Sequence, residues 1–240
     1  MEKWDYGLNI GFLLILMGVH ILSKYLKIME RKTLSILLSI ASGVSVSYIF
    51  IHLLPKLNEY QEIAEPAFGF IENTTYYFAM VGLVFFYGLE RKVWHLKDRS
   101  KRLSKNSIFW IHLISFTIYN FLIGYLLMKG NKEEFMDMLL YMIAVGVHFI
   151  SVNHGLHDIS TRQYDKVGRW ILSISVFSGW LYGNFSSLNE EVIGILFGFL
   201  SGSIVLNLLK EELPEGKDRN FWAFALGIVL YSILLFLLRS

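Results

Sequence analysis

Long apolar runs alternate with short polar segments along the whole chain. A helix rises about 1.5 Å per residue, so about 20 residues cross the roughly 30 Å of hydrocarbon in a bilayer. Eight runs approach that length: Leu8–Leu26, Thr33–Leu54, Thr74–Glu90, Ile108–Met128, Phe135–Leu156, Val167–Tyr182, Val192–Leu209 and Phe221–Leu238. The pattern predicts an all-α integral membrane protein, with eight transmembrane helices in one domain over residues 1–240.

The composition also indicates a polytopic membrane protein. Hydrophobic residues make up 54% of the chain, charged residues make up 18%, and the mean hydropathy is +0.47. The charged residues gather between the apolar runs, as is typical of membrane proteins. The sequence contains no cysteine, which excludes disulfides and thiolate metal sites. We therefore expect the lipid bilayer to be the main partner of the chain.

Basic residues fall almost entirely on one side of the predicted membrane. With eight crossings, alternate connections lie on opposite sides, and all but five of the 22 Lys and Arg residues then share a side. The five others are Lys3, Lys56, Lys129, Lys132 and Arg239. Because basic connections stay in the cytoplasm, we expect both termini to lie outside it, in a plasma or inner membrane. This topology explains the basic residues without a nucleic-acid partner.

A short pattern occurs twice in the chain. Ser42-Gly43 precedes Leu54-Pro55, and Ser201-Gly202 precedes Leu213-Pro214 with the same spacing and a constant offset of 159 residues. The predicted topology gives the two copies opposite directions across the membrane. Opposed copies are typical of the inverted repeats of secondary transporters. The repeats would be residues 1–90 and 167–240, with residues 108–156 as two central helices.

Glycines also recur inside the predicted spans. Small residues allow two helices to approach closely in a membrane. We therefore expect close helix contacts at these positions. They are Gly18, Gly43, Gly82, Gly124, Gly146, Gly198, Gly202 and Gly227.

The two central spans carry polar side chains near the middle of the membrane. Tyr119 and Asn120 lie in the fourth run, and His148 lies in the fifth. Polar groups at this depth are costly unless they are paired or in use. Asn120 and His148 therefore form either a site for a cation or polar solute, or an interhelical hydrogen bond. His52, at the outer end of the second run, either admits a cation or anchors the helix at the interface.

Several segments resemble the ZIP (Zrt-/Irt-like) family of metal transporters. Ile51–Pro55 resembles the end of that family's second helix, and Gly202–Glu215 resembles its seventh helix with the acidic Leu-Pro-Glu ending. Tyr119–Gly124 lies where the fourth-helix His-Asn-x-x-acid-Gly motif falls. His148 begins the fifth-helix metal motif, with Gly155 matching a glycine seven residues on. The resemblance implies an eight-helix, 3+2+3 inverted-repeat fold and a zinc-like metal substrate held between helices four and five.

The resemblance is incomplete at the metal site that it implies. Asn120 and His148 match the family's ligands in type, whereas Tyr119 replaces a histidine and Ile123 replaces a carboxylate. Two further fifth-helix ligands are replaced by Phe149 and Val152. One amide and one imidazole cannot hold zinc tightly in a membrane. The resemblance of the helices thus indicates transport, whereas most of the residues that would bind the ion are replaced in this sequence.

A second set of metal-binding residue types follows His148. His154, His157 and Asp158 are spaced i, i+3 and i+4, which places them on one face if the fifth helix continues to them. Such a set can bind a transition metal at the cytoplasmic mouth, as an exit or a hydrolytic site. Alternatively, these residues cap and solvate the end of the helix.

Three functions follow from these observations. The first is a ZIP-like transporter of divalent metal, or of another small cation, along Asn120, His148, Tyr119 and His52. The second is a transport-inactive ZIP-like scaffold or sensor. The third is an intramembrane zinc hydrolase, which ranks last because a further ligand and a general base are not evident. We expect no enzymatic activity and no resident cofactor, and a homodimer is a further partner to consider.

Overall fold

The computed structural model describes residues 3–64, 72–99, 105–129, 135–186, 188–208 and 220–239. Within those ranges the chain is almost entirely helical and contains no β-strand. The α-helices are α1 (Lys3–Leu22), α2 (Arg31–Tyr48), α3 (Leu54–Ala64), α4 (Thr74–Arg99), α5 (Lys105–Lys129), α6 (Phe135–Ile159), α7 (Thr161–Gln163), α8 (Arg169–Phe185), α9 (Glu190–Asn207) and α10 (Phe221–Arg239). A 3₁₀ turn covers Ser23–Ile28, and π turns cover Ile49–Leu53 and Tyr164–Gly168.

Five of the helical segments in the described ranges are long and apolar enough to cross a membrane. They are Tyr6–Tyr25, Arg31–Ala64, Asn106–Lys129, Met138–Ile159 and Glu190–Asn207. Two shorter apolar helices cover Thr74–Leu89 and Phe221–Leu237. The prediction of an all-helical chain is therefore confirmed within the described residues, and its apolar helices fit a membrane protein.

The second helix is longer than predicted. We expected it to end at Leu54, ahead of Pro55, but α2, a π turn and α3 form one helical segment to Ala64. The π turn widens the backbone just before Pro55, which has no N–H to donate, so the helix passes the proline. Leu57, Tyr60 and Ala64 are buried on one face, and this packing favours the continued helix.

Helices α2 and α10 pack against each other in parallel. The backbone N–H of Asn220 donates to the Ser39 hydroxyl over 3.1 Å, and the hydroxyls of Ser47 and Ser232 lie 2.8 Å apart. Between these contacts, a Cβ on Gly43 would collide with the backbone of α10. Residue numbers rise together along both helices, so the two helices run in the same direction.

Helices α4 and α9 form a second parallel pair. Gly198 lies against the backbone of Thr75, and Gly202 lies against the backbone of Ala79. A Cβ at either glycine would collide with a carbonyl oxygen of the other helix. The contacts again advance together along both helices, and glycine allows the two backbones to touch.

Helices α5 and α8 form a third parallel pair. The Ser175 hydroxyl donates to the carbonyl oxygen of Thr117, and Gly179 lies against the backbone of Phe121. On the other helix, a Cβ on Gly124 would collide with the carbonyl oxygen of Val176. Six of the predicted glycines therefore make close contacts: Gly43, Gly82, Gly124, Gly198, Gly202 and Gly227.

The prediction of a close contact is wrong for Gly18. No described atom lies within 4 Å of where its Cβ would stand. At Gly146 the nearest atom, on Leu16, is at an ordinary 3.8 Å. A glycine therefore allows close packing only where the position of its missing Cβ faces another helix.

Helix α1 runs parallel to α6. The ring of Phe12 stacks on that of Phe135 near the start of α6, at 6.2 Å between centroids. His20, near the other end of α1, contacts Asn153 near the end of α6. The contacts advance together along the two helices, so α1·α6 is a fourth parallel pair.

Helix α9 runs opposite to the α2–α3 segment. The backbone N–H of Thr75 donates to Gln61 over 2.8 Å, and the Tyr76 hydroxyl donates to Asn58 over 3.4 Å. These contacts make α3 and α4 antiparallel, and α4 is parallel to α9. The two Ser-Gly copies therefore lie on helices of opposite direction, as the repeated pattern predicts.

The two Ser-Gly copies also make equivalent contacts. The hydroxyl of Ser42 donates to the carbonyl oxygen of its own helix four residues back, and so does that of Ser201. Gly43 and Gly202, which follow them, each abut the backbone of a parallel neighbour. The Leu-Pro pair of the second copy, at residues 213–214, lies outside the described residues.

The helices form two groups joined along a seam. One group contains α1, α5, α6 and α8, and the other contains α2, α3, α4, α9 and α10. Helix α6 packs on α2, and α5 packs on α4 and α9, across the seam. One buried apolar cluster extends through both groups, so the seam is part of the core.

Candidate functional site

The predicted central residues are buried within the bundle. Tyr119 and Asn120 on α5 are 1% and 0% exposed, and His148 on α6 is 5% exposed. Successive residues of a helix point about 100° apart. Tyr119 and Asn120 therefore face different neighbours, and they take part in two separate polar regions.

Asn120 is bonded to His20 rather than to His148. Its Oδ1 lies 2.9 Å from Nε2 of His20, and its Nδ2 donates to the carbonyl oxygen of Phe116 over 2.6 Å. Both ends of the amide are thus engaged by protein groups. Of the two alternatives for Asn120 and His148, an interhelical hydrogen bond between them is therefore wrong.

His20 connects three helices through its imidazole ring. Its Nε2 faces Asn120 of α5, and its Nδ1 lies 2.9 Å from Oδ1 of Asn153 of α6. The ring of Phe149 lies against it, with centroids 4.3 Å apart. The side chains of His20, Asn120 and Asn153 are all 0% exposed. We call these three residues, together with Ser23, the His20 cluster.

Ser23 completes the hydrogen bonding of the His20 cluster. It accepts a bond from Nδ2 of Asn153 over 3.0 Å and donates to the carbonyl oxygen of Val19. A neutral imidazole donates through only one nitrogen. An imidazolium satisfies both ring contacts by donating to both amide oxygens. A neutral ring satisfies them if the Asn153 amide is turned, so that its Nδ2 donates to the ring and its oxygen accepts from Ser23.

The α7–α8 region fixes the backbone on which His20 stands. The hydroxyl of Tyr164 donates to the carbonyl oxygen of His20 over 3.1 Å, and Arg169 donates to that of Ile21 over 3.2 Å. Burial raises the pKa of Tyr164 well above its ordinary value, because the phenolate would lose its hydration. The phenol therefore remains a donor at neutral pH.

His148 lies in an aromatic environment on the other side of α5. Its ring is 5.6 Å from that of Tyr119, and Phe86 of α4 meets Tyr119 edge to face at 6.3 Å. Helix α2 brings Tyr48 and His52, whose rings stack at 5.3 Å. His52 is 9% exposed and lies in the π turn inside a continuous helix, not at a helix end as predicted.

The predicted cluster at the end of α6 divides into two pairs. Nδ1 of His154 lies 3.6 Å from Asp158, whereas Nε2 of His157 lies 3.7 Å from Asp165 of the following π turn. Within the described ranges, no group of three His, Cys, Asp or Glu residues is arranged to hold a metal. His154 and His157 are only about 60° apart around the helix, and they divide because Asp165 of the following π turn offers His157 a second carboxylate.

A cleft adjoins the first of these pairs. It has a volume of about 1010 Å³ and is lined by His154, Asp158, Arg31 and Lys32, among others. The two cationic side chains oppose the binding of a divalent cation there. Glu211, Glu212 and Glu215, which form the acidic ending of the ZIP-like segment Gly202–Glu215, lie outside the described residues.

Sequence reasoning missed Asn153 as a functional residue and assigned Asn120 the wrong partner. Asn153 is a polar residue inside a predicted span, a signal that marks it as paired or in use. His20, which Asn153 contacts, is completely buried. Its partners are 100 and 133 residues away along the chain, so local periodicity could not identify them.

Comparison of the chain with known proteins gives no family assignment. No protein-family model matches it, and no curated protein matches it. Its function is therefore argued from the geometry and from the resemblance of its motifs.

Proposed function

We propose that the chain is a membrane transporter of ZIP-like architecture whose substrate is a divalent, zinc-like cation or another small cation. In this proposal all eight apolar runs cross the membrane, and both termini lie outside the cytoplasm. Residues 1–90 and 167–240 form inverted repeats around the central helices of residues 108–156. The substrate passes along the seam between the two helix groups.

The pattern of helix pairing carries this proposal. An inversion that exchanges runs one, two and three with runs six, seven and eight also exchanges run four with run five. Helices α2 and α10 are runs two and eight, so the inversion converts their pair into runs seven and three, which are α9 and α4. Helices α5 and α8 are runs four and six, so their pair becomes runs five and one, which are α6 and α1. All four pairs are parallel and in contact. Such matched pairing is expected of a transporter built from inverted repeats.

The proposed path follows the aromatic and imidazole side chains of the seam. His148 and Tyr119 face it from α6 and α5, and Tyr48 and His52 face it from α2. These are neutral ligands, which compensate the dehydration of a cation only weakly. We therefore expect weak binding that favours release over storage. Asn120 is not a member of this path because its amide is engaged elsewhere.

Cation uptake into proteoliposomes tests the proposal. We expect saturable uptake of at least one of Zn²⁺, Mn²⁺ and Fe²⁺ by the purified chain. His148→Ala should lower the initial rate by about tenfold or more, as loss of a metal-contacting group does elsewhere. Ser178→Ala is the control, because Ser178 is half-buried and its hydroxyl donates to the carbonyl oxygen of Ile174 in its own helix.

Two outcomes would contradict the proposal. One is the absence of saturable uptake of these divalent cations and of K⁺ and Na⁺ by the wild-type protein. The other is an unchanged rate in His148→Ala. The melting temperature of each variant in detergent identifies a rate that falls because the protein has unfolded.

The bonding of Asn120 favours a second candidate, a transport-inactive ZIP-like scaffold or sensor. A central amide engaged by both His20 and its own helix offers no oxygen to a passing ion. This candidate predicts folded wild-type protein in liposomes with no uptake of any of these cations. The same assay therefore distinguishes the two functions.

A further inference from the structure

Two amide oxygens from neighbouring helices converge on one imidazole ring in the His20 cluster. Oδ1 of Asn120 and Oδ1 of Asn153 each lie 2.9 Å from a ring nitrogen of His20. All three side chains are fully buried. Helices α5 and α6 thus present a pair of amide groups, and α1 supplies the imidazole that lies between them.

Each amide is held from behind by a second hydrogen bond. Nδ2 of Asn120 donates to the carbonyl oxygen of Phe116, and Nδ2 of Asn153 donates to Ser23. These bonds direct both oxygens at the position of the imidazole. Buried acceptors are costly without a donor, so the pair requires an occupant.

We propose that the His20 imidazole is a tethered occupant of a small polar site between α5 and α6, and that the vacated site binds a free N–H donor. The ligand class is an imidazole-sized heterocycle, or an amine cation, that donates an N–H to the Asn120 oxygen and also bonds to the Asn153 amide. Neutral amide oxygens suit such donors and suit zinc poorly.

The occupant is held in place by groups outside the site. Tyr164 donates to the carbonyl oxygen of His20, and Arg169 donates to that of the next residue. The position of α1 is thereby coupled to the segment before α8. Under the proposed transport function, on which this consequence rests, His20 closes the gap between α5 and α6, and its withdrawal opens that gap.

Ligand binding to a His20→Ala variant tests the proposal. Full-length protein in detergent is titrated with imidazole and with thiazole, a ring of similar size that has no N–H. We expect imidazole, and not thiazole, to raise the melting temperature of His20→Ala and to leave the wild type unchanged. Isothermal calorimetry should show affinity about tenfold lower when Asn120→Leu is added, the loss expected for one hydrogen bond.

Several outcomes would overturn the proposal. They are equal effects of imidazole on the wild type and on His20→Ala, equal effects of imidazole and thiazole, and affinity unaffected by Asn120→Leu. If His20→Ala does not fold, ¹⁵N-histidine NMR of single amide variants replaces the titration. Asn153→Leu should then shift the Nδ1 signal of His20 and Asn120→Leu the Nε2 signal. The absence of both shifts contradicts the site.

Uptake by His20→Ala separates this inference from the proposed function. Imidazole binding without cation uptake by any variant supports the site and contradicts the transporter. Uptake by the wild type, combined with no imidazole binding by His20→Ala, supports the transporter and contradicts the site. Faster uptake by His20→Ala, slowed again by added imidazole, supports both.

Discussion

Two buried histidines lie on opposite sides of the same central helix, and their surroundings differ. His20 has a hydrogen-bonding side chain at each ring nitrogen, and those side chains are themselves bonded. His148 has the ring of Tyr119 beside it, and Tyr48, whose ring stacks on that of His52, belongs to the same buried cluster as Tyr119. One region is a closed hydrogen-bond network between three helices, and the other is an aromatic seam between two helix groups.

The difference shows that burial alone does not identify a transport residue. Both imidazoles are at most 5% exposed. A closed network resists change, because displacing one member leaves the others without partners in a water-poor interior. Aromatic contacts tolerate small displacements at less cost. This difference supports the proposal that the substrate path follows the seam and not the His20 cluster.

The largest expected difference between the two regions is in stability, when each histidine is replaced by leucine. His20→Leu leaves two buried amides without a hydrogen-bond partner, so we expect it to lower the free energy of unfolding by about 2–3 kcal/mol. His148→Leu should cost less than about 1 kcal/mol, as interhelical polar contacts in membranes do. Denaturant titration in detergent measures both. Equal losses would show that the two regions do not differ in this way.

Gly124→Ala should affect both regions at once. The added Cβ would meet the carbonyl oxygen of Val176 and force α5 away from α8. Because α5 carries both Tyr119 and Asn120, we expect a loss of about 2 kcal/mol in unfolding free energy. Gly18→Ala is the control, with open space at its Cβ and an expected change within about 0.5 kcal/mol. An unchanged free energy of unfolding in Gly124→Ala would mean that α5 and α8 are less closely packed than the structure indicates.

The smallest expected effect is the pH dependence of Tyr164→Phe. This change removes the donor to the His20 carbonyl, which costs about 1 kcal/mol at pH 7. The raised pKa of Tyr164 means that its contribution is present below its ordinary pKa of 10.0 and is lost as the pH rises towards its folded value. The stability difference between wild type and Tyr164→Phe should therefore shrink above pH 10. A constant difference from pH 7 to pH 11 would contradict the buried donor.

Much of the fold could be predicted because its signals are local. The apolar runs anticipated the helices, and the Ser-Gly repeat anticipated the opposite directions of the α2–α3 segment and α9. The end of the second helix was not predictable from Pro55, because the π turn that accommodates the proline depends on packing of Leu57, Tyr60 and Ala64. Gly18 was predicted to pack closely for the same reason as Gly124, although only one of them faces another backbone.

The sequence by itself determined the class of this protein and where its helices lie. A long apolar segment in lipid satisfies its backbone groups only by forming a helix. Tertiary structure alone decided which polar side chains meet. Asn120 pairs with His20, 100 residues away, because helix phase and the packing of distant helices set the direction of each side chain. The phase and the packing of the helices depend on the whole bundle and not on any one apolar run.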